Sequence, residues 1–214
     1  MLSIMSILNR LAHFQNRRDE KLNQELAREL ATSRDKKAIR EIAKNLRNEN
    51  AGVQSDCLKV LYEISYLDPK LVAPFVNDFL KLLESKNNRL VWGSMIALST
   101  IAPWQADEIF KRRAELRVVI ERGSVITRDN GIKTLALVAA QGDAYRKEIF
   151  PYLIQFLETC RPKEIPQYAE HIFVAVNAQS KNEFVRVLEK RSVDMPASRA
   201  ARVRRVIKNA NALK

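Results

Sequence analysis

The sequence predicts an all-α protein, a right-handed solenoid of about five to six stacked antiparallel helical hairpins. Three observations lead there. Of 214 residues only 5 are Gly and 7 are Pro, while Ala, Leu, Lys, Glu and Arg abound, a composition that favours helix over turn-rich β structure. Apolar positions recur at a step of 37 residues. Five of the prolines punctuate the edges of the helices that this step predicts.

The repeat is anchored by Leu61, Leu98, Leu135 and Ile172, each 37 residues from the last. The same step links Leu58, Met95, Ile132 and Ala169, and then Ile64, Ile101, Val138 and Ala175. Within one unit these positions fall at i, i+3 and i+6, one side of a helix. A second helix repeats through Ile42, Phe79, Leu116 and Leu153, and through Leu46, Leu83, Ile120 and Leu157. All 20 positions are apolar in a chain that is 46% hydrophobic, so chance does not account for the pattern. A shorter step reaches Phe184, Leu188, Ala200, Val203 and Val206.

Each unit reads as an A helix followed by a B helix: 38–48 with 53–67, 72–85 with 88–102, 106–122 with 125–140, 146–160 with 165–179, and 182–191 with 197–210. Residues 2–15 and 19–32 add a preceding pair, for about twelve helices. Pro74, Pro166 and Pro196 stand at helix starts, Pro103 ends the helix of Leu98, and Pro162 follows that of Leu157. The block from Leu90 to Ala102 carries no charge, yet its 13 residues fall short of the roughly 20 that a membrane span requires. As the B helix of a middle unit, covered by its own A helix and by both neighbours, it can be apolar nearly all round. The whole chain, 1–214, reads as a single solenoid, with capping helices over 1–37, repeats over 38–180 and a basic capping hairpin over 181–214. No transmembrane segment is expected. The N-terminus has neither the basic region nor the small-residue cleavage site of a signal peptide.

The spacing Val53, Cys57, Leu61, repeated as Leu90, Ser94, Leu98 and more loosely as Thr127, Gly131, Leu135, resembles the B helix of the HEAT repeat family. That family's Arg survives as Arg128, with Gln54 and Val91 in the matching places, and its inter-helix Asp is replaced around Asn48 and Ser85. An armadillo-like variant is the close alternative. The resemblance implies a binding scaffold whose B helices line a concave face.

Classes of chemistry are narrowed by what is missing. The five glycines are too scattered for a phosphate-binding loop, and no G-x-S-x-G or H-E-x-x-H occurs. His171 lies between core positions of a B helix and reads as structural. Cys57 and Cys160 lack partners at metal-ligand spacing, so no cofactor or metal is expected, and buried, reduced thiols suit a cytoplasmic protein.

On the implied concave face the row opposite the core carries Lys59, Tyr62, Tyr66, Trp92, Ile96, Lys133 and Phe173 as candidate contacts for a protein or peptide. Its charges cancel, with Lys59 and Lys133 set against Asp129 and Glu170. Half of the net charge of +12 sits in Met195 to Lys214, where Arg199, Arg202, Arg204, Arg205, Lys208 and Lys214 meet no acid. The first five of these are candidate contacts for an anionic partner, which makes nucleic-acid binding the alternative function. Some HEAT-like alkylpurine DNA glycosylases work through Trp, Asp and Arg, which would map to Trp92, Asp129 and Arg128. The run Lys111, Arg112, Arg113 reads instead as a solvated face, with Asp107 to Lys111 and Glu108 to Arg112 as i, i+4 pairs.

Overall fold

A computed structural model describes residues 6–17 and 19–214. Among them are twelve α-helices and no strand. They are α1 (Lys21–Ser33), α2 (Lys36–Lys44), α3 (Ala51–Leu67), α4 (Val76–Leu82), α5 (Asn88–Ile101), α6 (Ala106–Lys111), α7 (Arg113–Arg122), α8 (Val125–Ala139), α9 (Asp143–Thr159), α10 (Ile165–Phe173), α11 (Lys181–Arg191) and α12 (Ala197–Asn211). The chain divides into two compact units, one up to Asn130 and one from Gly131, with the boundary inside α8.

Both units are built in the same way. In the first, α2 packs on α3 and α4 on α5 as hairpins, while α1, α3 and α5 lie side by side in one layer and α4 meets α6 in the other. In the second, α9 packs on α10 and α11 on α12, with α10 against α12 in one layer and α9 against α11 in the other. The helices α3, α4, α5, α9, α10, α11 and α12 thus meet a hairpin partner and a helix of the next repeat, the contact pattern of a helical-repeat stack.

The reason is burial of the repeated stripe. Leu61, Leu98, Leu135 and Ile172 are all fully buried, and so are the other sixteen positions on the 37-residue step, none more than 7% exposed. Phe184, Leu188, Ala200, Val203 and Val206 are buried too. A lone hairpin would leave one side of each of these positions in water, and stacking removes that exposure.

Helix starts are set by side chains. Asp35 accepts from the amides of Lys37 and Ala38, Asn50 from those of Gly52 and Val53, and Asn87 from that of Arg89, which caps α2, α3 and α5. The places where the HEAT pattern has an inter-helix Asp are filled in kind. Asn48 Oδ1 accepts from the Asn50 amide at 2.9 Å, and Ser85 Oγ accepts from the Asn87 amide at 3.1 Å. Gln54, in place of the Arg, donates to the Leu46 carbonyl at 2.7 Å and ties α3 to the turn before it.

Four expectations are corrected. The helix over 2–15 is not an α-helix in its described part. Ile7–Arg10 is a single 3₁₀ turn, and the chain reverses at Asn16, whose φ is 52°; residues 2–5 lie outside the described residues. This segment is held instead by the buried Asn23, which accepts from the Ala12 amide at 3.0 Å. The helix over 106–122 is two helices, broken at Arg112, whose guanidinium turns to Glu84 at 2.9 Å and to Glu115. Glu108 accordingly pairs with Lys111 at 2.5 Å rather than with Arg112. The B helix over 165–179 stops at Phe173, because Asn177 and Ser180 exchange two hydrogen bonds of 3.0 Å that open α11. Finally, against the expectation that prolines fall between helices rather than inside them, Pro151 lies within α9.

Gly123 closes the turn between α7 and α8 at close quarters. A Cβ there would lie 2.6 Å from the Val119 carbonyl oxygen and 2.6 Å from Thr127 Cγ2. Gly123→Ala is expected to destabilise by about 1 to 3 kcal/mol, since backbone must yield to make room. Chemical denaturation of the two proteins side by side checks this, and an unchanged midpoint would contradict it.

Candidate functional site

In the first unit the layer of α1, α3 and α5 carries a cluster of charge and aromatic rings. The Lys59 ammonium, on a residue only 5% exposed, donates to Glu63 Oε1 at 2.6 Å and pairs with Glu20 Oε2 at 2.8 Å. Glu20 stands at the N-cap of α1 without capping it; its second oxygen accepts from Arg89 of α5 at 2.6 Å. Three helices are thereby tied through one carboxylate. Burial alone would lower the Lys59 ammonium pKa, but the hydrogen bonds to Glu20 and Glu63 outweigh it and hold the pKa above the usual lysine range.

Over this cluster lie the rings. Lys59 Nζ sits 4.7 Å from the centroid of Tyr62, a cation–π contact. Tyr62 meets Tyr66 edge-on at 6.2 Å and Trp92 of α5 at 6.0 Å. Gly93 allows the close packing of α5 on α3, since a Cβ there would meet Leu58 Cδ2 at 2.8 Å. Tyr66 is 55% exposed and Trp92 is half-buried. Tyr66 and Trp92 are thus accessible rings on a base that ion pairs hold rigid.

The sequence-based candidates therefore separate. Tyr62, Tyr66 and Trp92 come together, with Lys59 beneath them. Lys59, Tyr62 and Ile96 are corrected as surface contacts, because their own neighbours bury all three, Lys59 by ion pairing, Tyr62 at 6% exposure and Ile96 at 8%. In the second unit Lys133 is half-buried on α8, and half-buried Phe173 ends α10 beside exposed Val174. Trp92 leans on Tyr62, while Arg128 and Asp129 are half-buried at the start of α8. Glu20, Glu63 and Arg89 are the members that sequence reasoning missed. The Lys59–Glu63 pair was legible at i, i+4 on one helix, whereas Glu20 and Arg89 reach the site only through packing of α1 and α5 on α3.

Of the basic candidates on α12, all five are exposed. Arg202 is committed to Glu170, donating from Nε at 3.0 Å and from Nη2 at 2.6 Å, and this bond holds the Glu170 carboxyl below the usual carboxylate range. Arg199, Arg204, Arg205 and Lys208 form no salt bridge among the described residues, although the Arg205 charge also helps to lower the Glu170 carboxyl.

Cys57 and Cys160 are free and buried. Burial pushes the Cys57 thiol up to about 12 and the Cys160 thiol up to about 11. Both are expected to be silent to a thiol-specific dye in the native protein at pH 8 and to release two equivalents in denaturant. Rapid native labelling would contradict this burial.

No family model matches the sequence, and no curated protein matches it significantly. Solved structures do. A designed armadillo repeat protein in complex with the peptide (KR)4 aligns with a TM-score of 0.68 at 14% identity, over 96% of this chain and 99% of that one. Another designed armadillo repeat protein aligns at 0.65 and 14% identity, over 95% of this chain and 100% of that one. An engineered protein aligns at 0.65 and 18% identity, over 97% and 98%. With the alternating helix layers, the 37-residue buried stripe and these neighbours together, the chain has the all-α solenoid fold of armadillo/HEAT-like repeat proteins.

Proposed function

We propose that this protein is a non-enzymatic repeat scaffold that holds a peptide or protein segment against the α3–α5 face. The observation that carries the reading is that the accessible rings of Tyr66 and Trp92 each pack on the buried Tyr62, over the Lys59, Glu20, Glu63 and Arg89 ion pairs. Exposed aromatic rings on a rigid framework bind at low entropic cost, because little side-chain motion is left to lose. The designed neighbour that holds a peptide supports the class of ligand. Neither thiol is suited to act as a nucleophile, since burial keeps both protonated at neutral pH. A reducing cytoplasmic setting suits the same thiols.

The test is selection from a displayed peptide library against the wild-type protein, followed by titration of a selected peptide. Tyr66→Ala and Trp92→Ala are expected to weaken that peptide about tenfold or more, as anchors at an interface do. Tyr66→Ala should leave the melting temperature almost unchanged, since the ring is mostly in water. Selection that yields no binder, or a peptide held equally well by both variants, would contradict the reading.

A further inference from the structure

The second unit is markedly basic, with 15 Lys and Arg against 8 Asp and Glu over residues 131–214. Its most concentrated positive surface is α12. Ala200, Val203, Val206 and Ala210 bury one side of this helix. At 100° per residue, Arg204, Arg205 and Lys208 then fall on the opposite side, and all three are exposed. The pairs Arg204–Lys208 and Arg205–Lys208 are neighbours at i, i+4 and i, i+3, so like charges are held together with no acid on the helix to relieve them. Among the described residues the acid that forms a salt bridge to α12, Glu170, is taken by Arg202.

A second feature adjoins the start of the same helix. A cleft of about 250 Å³ is lined by Lys190, Arg191 and Arg199, with Asp194 as its single acid. Arg191 donates from Nη2 to the Cys160 carbonyl at 2.5 Å, while its buried Nε has no hydrogen-bond partner among the described residues. Positive charge thus runs from the α11–α12 turn along the outer side of α12.

We infer that α12 and the adjoining cleft form a binding surface for the phosphate backbone of a nucleic acid. The kind of anion follows from what the surface lacks. Its apolar side is already buried, so no amphipathic face is left to enter a lipid headgroup layer. Between the cations the outer side offers only Ala201 and Asn209, too little apolar area for the centre of a protein interface. A repeating polyanion needs neither, and arginine forks match phosphate oxygens two at a time. Contacts of this kind fix position without reading bases, so binding should be indifferent to sequence.

The experiment uses the full chain and fluorescently labelled 20-mer oligonucleotides, single-stranded and duplex, titrated between 50 and 200 mM salt. Three phosphate contacts give a log–log slope of roughly −2 to −3, so duplex affinity should fall about 40-fold across that range. Arg204→Ala with Arg205→Ala should flatten the slope by about 1.5 to 2 units and weaken unrelated sequences alike. Arg204→Lys with Arg205→Lys should keep the slope, since charge rather than shape releases the counterions. Lys36→Ala with Lys37→Ala, which removes as much exposed charge from α2, should change neither. The inference is overturned if neither oligonucleotide binds at 50 mM salt, if the α2 variant loses as much as the α12 variant, or if the chain binds phosphatidylserine vesicles and not oligonucleotides. None of these outcomes depends on peptide capture at the α3–α5 face, so the two proposals stand or fall separately.

Discussion

Leu98→Ala is expected to destabilise the protein by about 2 to 5 kcal/mol. Leu98 is fully buried in α5, which packs on both α3 and α4, so truncation leaves a hole that three helices would have to close together. The Gln54 bond to the Leu46 carbonyl ties α3 to the turn before it and restrains its sliding to fill the hole. Most of the cavity cost should therefore survive relaxation. Denaturant unfolding followed by circular dichroism measures the loss. Val118→Ala in α7, at a residue 46% exposed, is the control and should shift stability by no more than about 0.5 kcal/mol. Equal effects at the two positions would mean that the repeated stripe is not what stabilises the stack.

The second large effect is expected at Lys59. Replacing it with Met keeps most of the stem but leaves Glu20 and Glu63 facing each other without the ammonium between them. Removing one partner of a buried ion pair costs about 3 to 5 kcal/mol. Both carboxylates here keep partial access to water, which reduces the penalty, so about 1 to 3 kcal/mol is expected. Adding Glu63→Gln to Lys59→Met should restore part of the loss, because Glu63 loses its ion pair in the single variant whereas Glu20 keeps Arg89. A double-mutant cycle over Lys59 and Glu63 isolates that coupling. Strictly additive effects would show that the cluster does not act as a unit.

Much of the fold was legible because a helical-repeat stack writes its core into the sequence at a fixed interval. Leu61, Leu98, Leu135 and Ile172 all proved buried because each meets the same surroundings in its own repeat. The errors arose where local chemistry overrides the period. Arg112 breaks a helix by turning to Glu84 and Glu115, and Asn177 with Ser180 ends the α10 segment early. Neither pairing leaves an apolar signature. At the candidate site, Tyr62 and Tyr66 share a face of α3 by helical spacing, and Trp92 joined their row through the repeat step and the concave face that the HEAT resemblance implies. The burial of Lys59 could not, since an exposed lysine and one sandwiched between Glu20 and Glu63 look the same in sequence.

The claim that a peptide seats on the α3–α5 face can be read from a single chromophore. The chain has 2 tryptophans, and Trp104→Phe leaves Trp92 as the only one. On titration with a selected peptide, Trp92 emission is expected to shift to the blue and acrylamide quenching to fall, as the half-buried ring leaves water. In Trp92→Phe the remaining Trp104, 46% exposed in the turn after α5, should report no change. Saturation of the peptide with Trp92 emission and quenching unaltered would place the ligand elsewhere and contradict the account.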